Sequence, residues 1–190
     1  MSLRERRERE RREREQRIIA VARELAEAEG WDAVTTRRLA ELIEYSQPVL
    51  YSHFKGKAAI MAAVALEGFA ELAAELRAAR TASPDPRTSL ADVAAAYVRF
   101  AVTRPVLYEA MFTSDVDLAF ASPQTPAPLQ EGFGELREAV RSLAGSDELD
   151  ARTEVFWAGL HGLMTLTRAG RLPPEDHHRR LAILLRQFAA

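Results

Sequence analysis

Apolar residues recur along most of this chain at intervals of three and four, the spacing of helices with one buried face. Ile18, Ile19, Ala22, Leu25 and Ala26 form such a stripe over 16–29, and Gly30 ends it as a helix-terminating glycine. Trp31 and Val34 follow as plugs for a small core. Two short helices come next. Thr35 precedes Leu39, Ala40, Leu42 and Ile43, and Ser46 precedes Gln47-Pro48, so a hydroxyl residue stands ready to cap each start. Pro48 falls in a first turn, where its missing N–H costs little. After Lys55-Gly56-Lys57 a longer stripe (Ile60, Met61, Val64, Ala65, Phe69, Leu72, Ala73, Leu76) predicts a fourth helix ending near Arg80. The run TASPDPRTS reads as a loop, with Pro84 and Pro86 barring continuation. Helices are predicted over 90–103, 105–112, 129–143, 147–169 and 174–188. The stretch 113–128, with Pro123, Pro126 and Pro128, is too long for a tight connection and is either mobile or a lid. No strand-like alternation or internal repeat occurs, so the predicted fold class is all-α, with about nine helices.

On a 3.6-residue period the third helix places Leu50 and Phe54 on one side, with Pro48, Val49, Ser52 and His53 facing roughly the other way. Gln47 and Tyr51 line the edge as an i, i+4 pair. The outer surface thus carries amide, hydroxyl, phenol and imidazole groups and no carboxylate. It suits a negatively charged partner rich in donors and acceptors, as the major groove of DNA is to a helix entering by its N-terminal end. The alternative is an ordinary helical hairpin.

The segment TTRRLAELIEYSQPVLYSHFKGK resembles the helix-turn-helix of the tetracycline-repressor (TetR) family of bacterial transcription regulators. The matching positions are Thr35, Arg37, Leu39-Ala40, Ser46, Leu50-Tyr51, His53-Phe54 and Lys57, over about fifty residues. Two positions depart from the pattern: the turn glycine is Glu44, so either a strain of about 1–2 kcal/mol at positive φ is tolerated or the turn differs, and the following valine is Tyr45. The resemblance implies a three-helix head at 1–57, including a charged N-terminal arm, joined by a long fourth helix to a helical ligand-binding and dimerisation body at 58–190. It implies that Thr35 and Lys57 grip phosphates of double-stranded operator DNA, as do Tyr51 and His53, while Thr36 and Arg37 add phosphate or base contacts. Ser46 and Ser52 belong to the same surface. Gln47 can pair with adenine in bidentate fashion, and Pro48 and Val49 can touch thymine methyls.

Composition changes this picture little. The 190 residues carry 26 Lys+Arg and 28 Asp+Glu, a formal net charge of −2, so bulk charge does not announce a nucleic-acid binder. Residues 1–57 hold 13 basic and 11 acidic groups, a mild excess only. The absence of cysteine excludes disulfides and thiolate metal sites. No run of about 18 apolar residues suggests a membrane span, and no hydrophobic leader pattern opens the chain, so a soluble cytoplasmic protein is expected. Residues 4–17 hold eight Arg and five Glu. Glu5–Arg9, Glu8–Arg12, Glu10–Arg14 and Glu13–Arg17 have the i, i+4 spacing of helix-stabilising pairs. This run is either a solvated extension of the first helix or an arm whose arginines reach phosphates or the minor groove.

In the body, the last two helices offer more apolar surface than one buried face needs. Val155, Phe156, Leu160 and Leu163 in one and Leu181, Ile183, Leu184, Leu185 and Phe188 in the other make up that surface, and the surplus is either core or a pairing surface. The resemblance implies a homodimer through these helices, with Phe156, Leu160, Leu163, Leu181, Leu184, Leu185 and Phe188 as candidates. Tyr97, Phe100, Tyr108, Met111 and Phe112 are candidates for a largely apolar effector pocket, together with Trp157 and His161. The run Trp157-Ala-Gly-Leu-His161-Gly162 resembles the Trp-His-Gly signature of one class of these C-terminal domains. Trp157 and His161 are either satisfied core groups or ligand contacts. The implied function is a regulator, acting as a repressor released by an apolar or aromatic small molecule. The alternatives are an effector-independent DNA-binding dimer or a helical interaction protein without DNA binding. Catalysis is not expected: His177 and His178 point about 100° apart on a helix, and no triad, phosphate loop or paired carboxylates accompany them or His161. No cofactor, metal or catalytic residue is assigned.

Overall fold

The computed structural model describes residues 2–112, 116, 118–144 and 148–188. Among these it is all-helical, with nine α-helices: α1 Leu3–Glu29, α2 Thr36–Leu42, α3 Gln47–His53, α4 Lys57–Ala82, α5 Pro86–Thr103, α6 Pro105–Phe112, α7 Ala127–Ala144, α8 Leu149–Arg168 and α9 His177–Phe188. The chain divides into two compact units, one of residues 1–68 with 105–124, the other of 69–104 with 125–190. The sequence places a boundary after Lys57; the unit holding the helix-turn-helix extends to Gly68 and takes in α6. Gly68 shows why α6 belongs there. A Cβ on it would lie 2.7 Å from Met111 Sδ and 2.9 Å from Leu107 Cδ1, so only a residue without a side chain lets α6 sit this close to α4.

In the first unit, Ile18, Ala22, Ala26, Val34, Leu39, Leu50 and Ile60 are fully enclosed. Trp31 is buried with them, and its indole N–H donates to the Val106 carbonyl at 3.0 Å. The Arg/Glu-rich run is helical throughout and continuous with α1. It opens on a capping box in which Ser2 Oγ accepts from Glu5 N–H and Glu5 Oε2 accepts from Ser2 N–H at 2.8 Å. The ion pairs along it run in the sense opposite to the expected one: Arg4–Glu8, Arg6–Glu10, Arg9–Glu13 and Arg11–Glu15. An alternating sequence offers both registers, and Glu5 is already engaged at the cap.

Two element boundaries also differ from expectation. Helix α4 runs on to Ala82, and α5 starts at Pro86, four residues before Leu90, because Asp85 caps it by accepting from Thr88 N–H at 2.8 Å. Proline at the first helical position starts this helix where the sequence suggested only a break. Of the 113–128 stretch, residues 113–115 and 117 lie outside the described residues, as does Asp147 at the expected start of α8.

The second unit packs Leu76, Leu90, Val93, Tyr97, Phe100, Phe156 and Leu160 as its closed core. Glu135 of α7 is buried at its margin and accepts from Arg77 Nε at 2.8 Å and Arg80 Nε at 2.7 Å, both on α4. Glu71 and Glu75, also on α4, pair with Arg104 at the end of α5. Among the described residues no helix is long and apolar enough to cross a membrane.

The turn between α2 and α3 is made by Glu44 in the left-handed region, at φ 58°. Tyr45 N–H donates to Ala40 O at 2.9 Å and Glu44 N–H to Glu41 O at 3.4 Å, so the last carbonyls of α2 are satisfied by a turn that favours glycine. Of the two alternatives at Glu44, the structure has the one in which a non-glycine residue takes the left-handed conformation. Glu44→Gly should raise stability by about 1 kcal/mol, read as a higher midpoint in thermal or urea unfolding; an unchanged or lower midpoint would contradict strain at this residue.

Candidate nucleic-acid interface

The surface of α3 follows from two local facts. Leu50 is fully buried and fixes which side packs, while the first turn beyond Ser46 stands clear, leaving Gln47, Pro48 and Val49 exposed. Ser46 occupies the cap position, yet its hydroxyl makes no capping bond. Pro48 has no N–H to give, and Val49 N–H donates instead to Ser46 O at 3.0 Å. Thr35 does cap α2, its hydroxyl accepting from Arg38 N–H at 3.2 Å.

Tyr51 is half exposed, and its hydroxyl lies 3.4 Å from Thr36 Oγ1, so the start of α2 and the middle of α3 present their polar groups together. Ser52 is exposed, although its hydroxyl donates to Val49 O at 2.6 Å. Arg37 is exposed and tied to Glu41 by an i, i+4 ion pair that solvent keeps weak, so its guanidinium is readily exchanged to another anion. Thr36, Arg37, Gln47, Pro48, Val49, Tyr51 and Ser52 thus come together as one outward surface without a carboxylate of its own on α3.

Two expected members sit differently. The outward placement of His53 is corrected: its side chain is 6% exposed, with Nδ1 3.4 Å from Glu15 Oε1 on α1. His53 stands three residues after Leu50, so the helix carries it on the flank of the buried face and not opposite it. Lys57 is the first residue of α4 as expected, but its ammonium donates to the Trp31 carbonyl. Glu15 is a residue that sequence reasoning missed. Hydrogen bonding from Arg11 holds its carboxyl below the ordinary value against the opposing effect of burial, with His53 adding to the depression.

The candidate effector residues fall into two groups, one in each unit. Tyr108, Met111 and Phe112 belong to the first, where the Tyr108 and Phe112 rings lie 4.7 Å apart. Tyr97, Phe100, Trp157 and His161 belong to the second. There Trp157 Nε1 donates to Tyr97 Oη at 3.2 Å, the same oxygen lies 3.5 Å from His161 Nδ1, and His161 Nε2 lies 3.3 Å from Thr165 Oγ1. Burial keeps the His161 imidazole below its usual basicity, so a neutral ring joins this chain at neutral pH.

The expected pairing surface needs a larger correction. Phe156, Leu160, Leu181 and Phe188 are buried within the unit, with the Phe156 and Phe188 rings 5.1 Å apart in an edge-on contact. Leu184 packs so close to Gly159 that a Cβ there would lie 2.7 Å from its Cδ1. Much of the apolar surplus is therefore core. The large apolar side chains that α8 and α9 leave exposed are Val155, Leu166 and Ile183, with Leu163, Leu184 and Leu185 half-buried.

Comparison with known proteins places this arrangement. Residues 18–64 match the family model for bacterial regulatory proteins of the tetR family, and residues 90–188 match that for tetracyclin repressor-like C-terminal domains. The uncharacterized HTH-type transcriptional regulator YobS of Bacillus subtilis is 33% identical over 93 residues, 49% of this chain and 48% of that protein. The chain thus spans about half the length of this curated relative. A structure of a protein of unknown function from Rhodococcus sp. RHA1 superimposes with a TM-score of 0.75 at 24% identity, covering 92% of each chain. The structure of BioQ with its natural double-stranded DNA operator does so with a TM-score of 0.68 at 23% identity, covering 92% of this chain and 97% of that one. At these identities the two structures speak for the fold. With one model matching the head and another spanning the body over more than half its length, the chain belongs to the tetR family of bacterial regulatory proteins.

Proposed function

We propose that this protein is a DNA-binding transcriptional regulator that reads an operator through the exposed face of α3, acts as a repressor, and works as a homodimer. The observation that carries this reading is the outward, carboxylate-free group Gln47, Pro48, Val49, Tyr51 and Ser52, joined by Thr36 across the turn. Gln47 offers the donor–acceptor pair that matches adenine, Pro48 and Val49 offer apolar contact to thymine methyls, and Tyr51 with Thr36 and Thr35 supplies hydroxyls for phosphate. Lys57 contributes the two ammonium protons that Trp31 leaves unused. His53 acts from behind, holding the end of α3 against Glu15. BioQ, with which this chain shares its fold, was crystallised on its double-stranded operator, and that supports the same use here.

A two-fold dimer sets two copies of α3 against successive major grooves, about 34–36 Å apart. Val155, Leu166 and Ile183, exposed on α8 and α9, support pairing through those helices. An apolar or aromatic effector is supported by the Trp157–Tyr97–His161 chain, which offers polar groups amid the aromatic interior of the second unit. Such a compound releases the operator only by binding the DNA-incompetent form more tightly, and the coupling is reciprocal.

The test is enrichment from a random duplex pool followed by binding to the selected sequence. Gln47→Ala is expected to relax the choice at one base pair of each half-site, with a discrimination loss of about 1–3 kcal/mol. Tyr51→Phe is expected to weaken binding to all sequences alike. A pool that yields no enriched sequence with the wild-type chain would sink the proposal.

A further inference from the structure

The N-terminal three turns of α1 are longer than the head's core requires. The first buried residue of α1 is Ile18, yet the helix begins at Leu3, so residues 3–14 extend for about 18 Å at 1.5 Å per residue. Besides the helix's own backbone hydrogen bonds, a Ser2–Glu5 capping box and side-chain ion pairs stabilise this part. Its direction follows from the packed part of the same helix, and Glu15 shows which of its sides faces α3. This carboxylate meets His53, the last residue of α3, and thereby marks the side of α1 that faces the recognition helix.

Steps of three, four, seven, eight and eleven residues back from Glu15 stay on that same side of a helix. They arrive at Arg12, Arg11, Glu8, Arg7 and Arg4, four cations and one anion. Arg7 and Arg12 are exposed and form no ion pair among the described residues. Arg4 and Arg11 are paired to Glu8 and Glu15, but the Arg4 side chain remains 90% exposed and that of Arg11 63% exposed, so either pair exchanges readily to another anion. The row is thus a basic strip continuous with the end of the DNA-reading helix.

We infer that residues 3–15 of α1 form a second duplex-contacting element, a helix held to the end of α3 by Glu15, with Arg4, Arg7, Arg11 and Arg12 lying against phosphates beside the groove that α3 enters. The inference rests on the proposed DNA binding. Because the row is helical and pinned, it is a rigid extension of the reading surface and not a tail that folds onto DNA. Its contacts are to the backbone, so it adds affinity and salt dependence without changing which sequence is read.

Two full-length variants test this against each other. R4Q/R7Q/R11Q/R12Q removes four cations from the row, while R6Q/R9Q/R14Q/R17Q removes four from the rest of the helix. Each variant breaks two of the four i, i+4 ion pairs, so net charge and helix fraying change equally. Binding to a fluorescein-labelled random-sequence duplex of about 30 base pairs is followed by anisotropy from about 50 to 200 mM KCl. The first variant is expected to flatten the log K against log salt slope by about 2–4, at about 0.9 per lost phosphate contact, and to weaken binding at least tenfold near 100 mM. The second is expected to change the slope by less than about 1. Equal slopes for the two variants, or a wild-type slope in the first, overturn the inference while leaving DNA binding by α3 standing. A wild-type chain that binds no duplex overturns both.

Discussion

Val49→Glu is expected to fold at least as well as the parent chain and to lose duplex binding by at least about a hundredfold. Both halves follow from one position. Val49 is the third residue of α3 after the Ser46 cap and is 38% exposed, so a longer side chain can extend into solvent. A glutamate there completes the Ser-x-x-Glu capping pattern, its carboxylate able to accept from the Ser46 N–H and to sit in the positive field at the start of the helix. The expected gain is about 0.5 kcal/mol, seen as a slightly higher thermal midpoint. In the proposed complex the same carboxylate would stand among phosphates and replace the apolar contact to base methyls assigned to Val49. Like-charge apposition of this kind costs several kcal/mol, and about 2.8 kcal/mol is a hundredfold in affinity. Thermal unfolding and anisotropy on one preparation decide the matter. Unchanged duplex affinity in a well-folded Val49→Glu chain would mean that α3 does not enter the groove by this end.

The head was largely legible because its signals are local. Thr35 as a cap, Gly30 as a stop, Trp31 and Val34 as core and the strained turn at Glu44 each depend on a few neighbouring residues, and each takes that role in the structure. His53 was misplaced because a helical period gives directions to within about one residue's rotation, and a group three residues from a buried leucine can fall to either side. What decided it was Glu15, 38 residues earlier in the chain, which periodicity cannot bring to His53. Ser46 shows a different limit. Its residue type and position are right for a cap, but Pro48 removes one donor and the Ser46 carbonyl claims the next.

In the body the pattern identified helices but not what covers them. Apolar positions all round α8 and α9 read equally as core or as pairing surface, and the answer came from Gly159 admitting Leu184 and from the Phe156–Phe188 contact. The start of α5 was hidden because Pro86 signals a break and a beginning with the same residue.

Glu135→Ala is expected to lower the stability of the 190-residue protein by about 2 kcal/mol, a fall of about 4–8 °C in its thermal midpoint. No local pattern marks this residue, since Arg77, Arg80 and Glu135 become partners only when α4 lies beside α7. Glu135 is buried, and both of its oxygens are occupied, Oε1 by Arg77 and Oε2 by Arg80. Removing the carboxylate leaves Arg80, which is only 28% exposed, without its acceptor; Arg77 is 55% exposed and can turn to water or to Glu131, so the loss stays below that of a wholly buried pair. The same geometry sets a pH dependence. Burial alone would raise the carboxyl of Glu135, but the hydrogen bonds from Arg77 and Arg80 outweigh it and hold the group below its ordinary value. A depressed carboxyl contributes stability that is complete above its unfolded-state value, near pH 4.3, and is lost as pH falls through the lower folded value. The gap between parent and Glu135→Ala should therefore be widest near neutrality and shrink as the solution is acidified below about pH 4. Urea unfolding at a series of pH values reads this directly, and a gap that is constant with pH, or that widens in acid, would show that Glu135 acts by filling space and not by its charge.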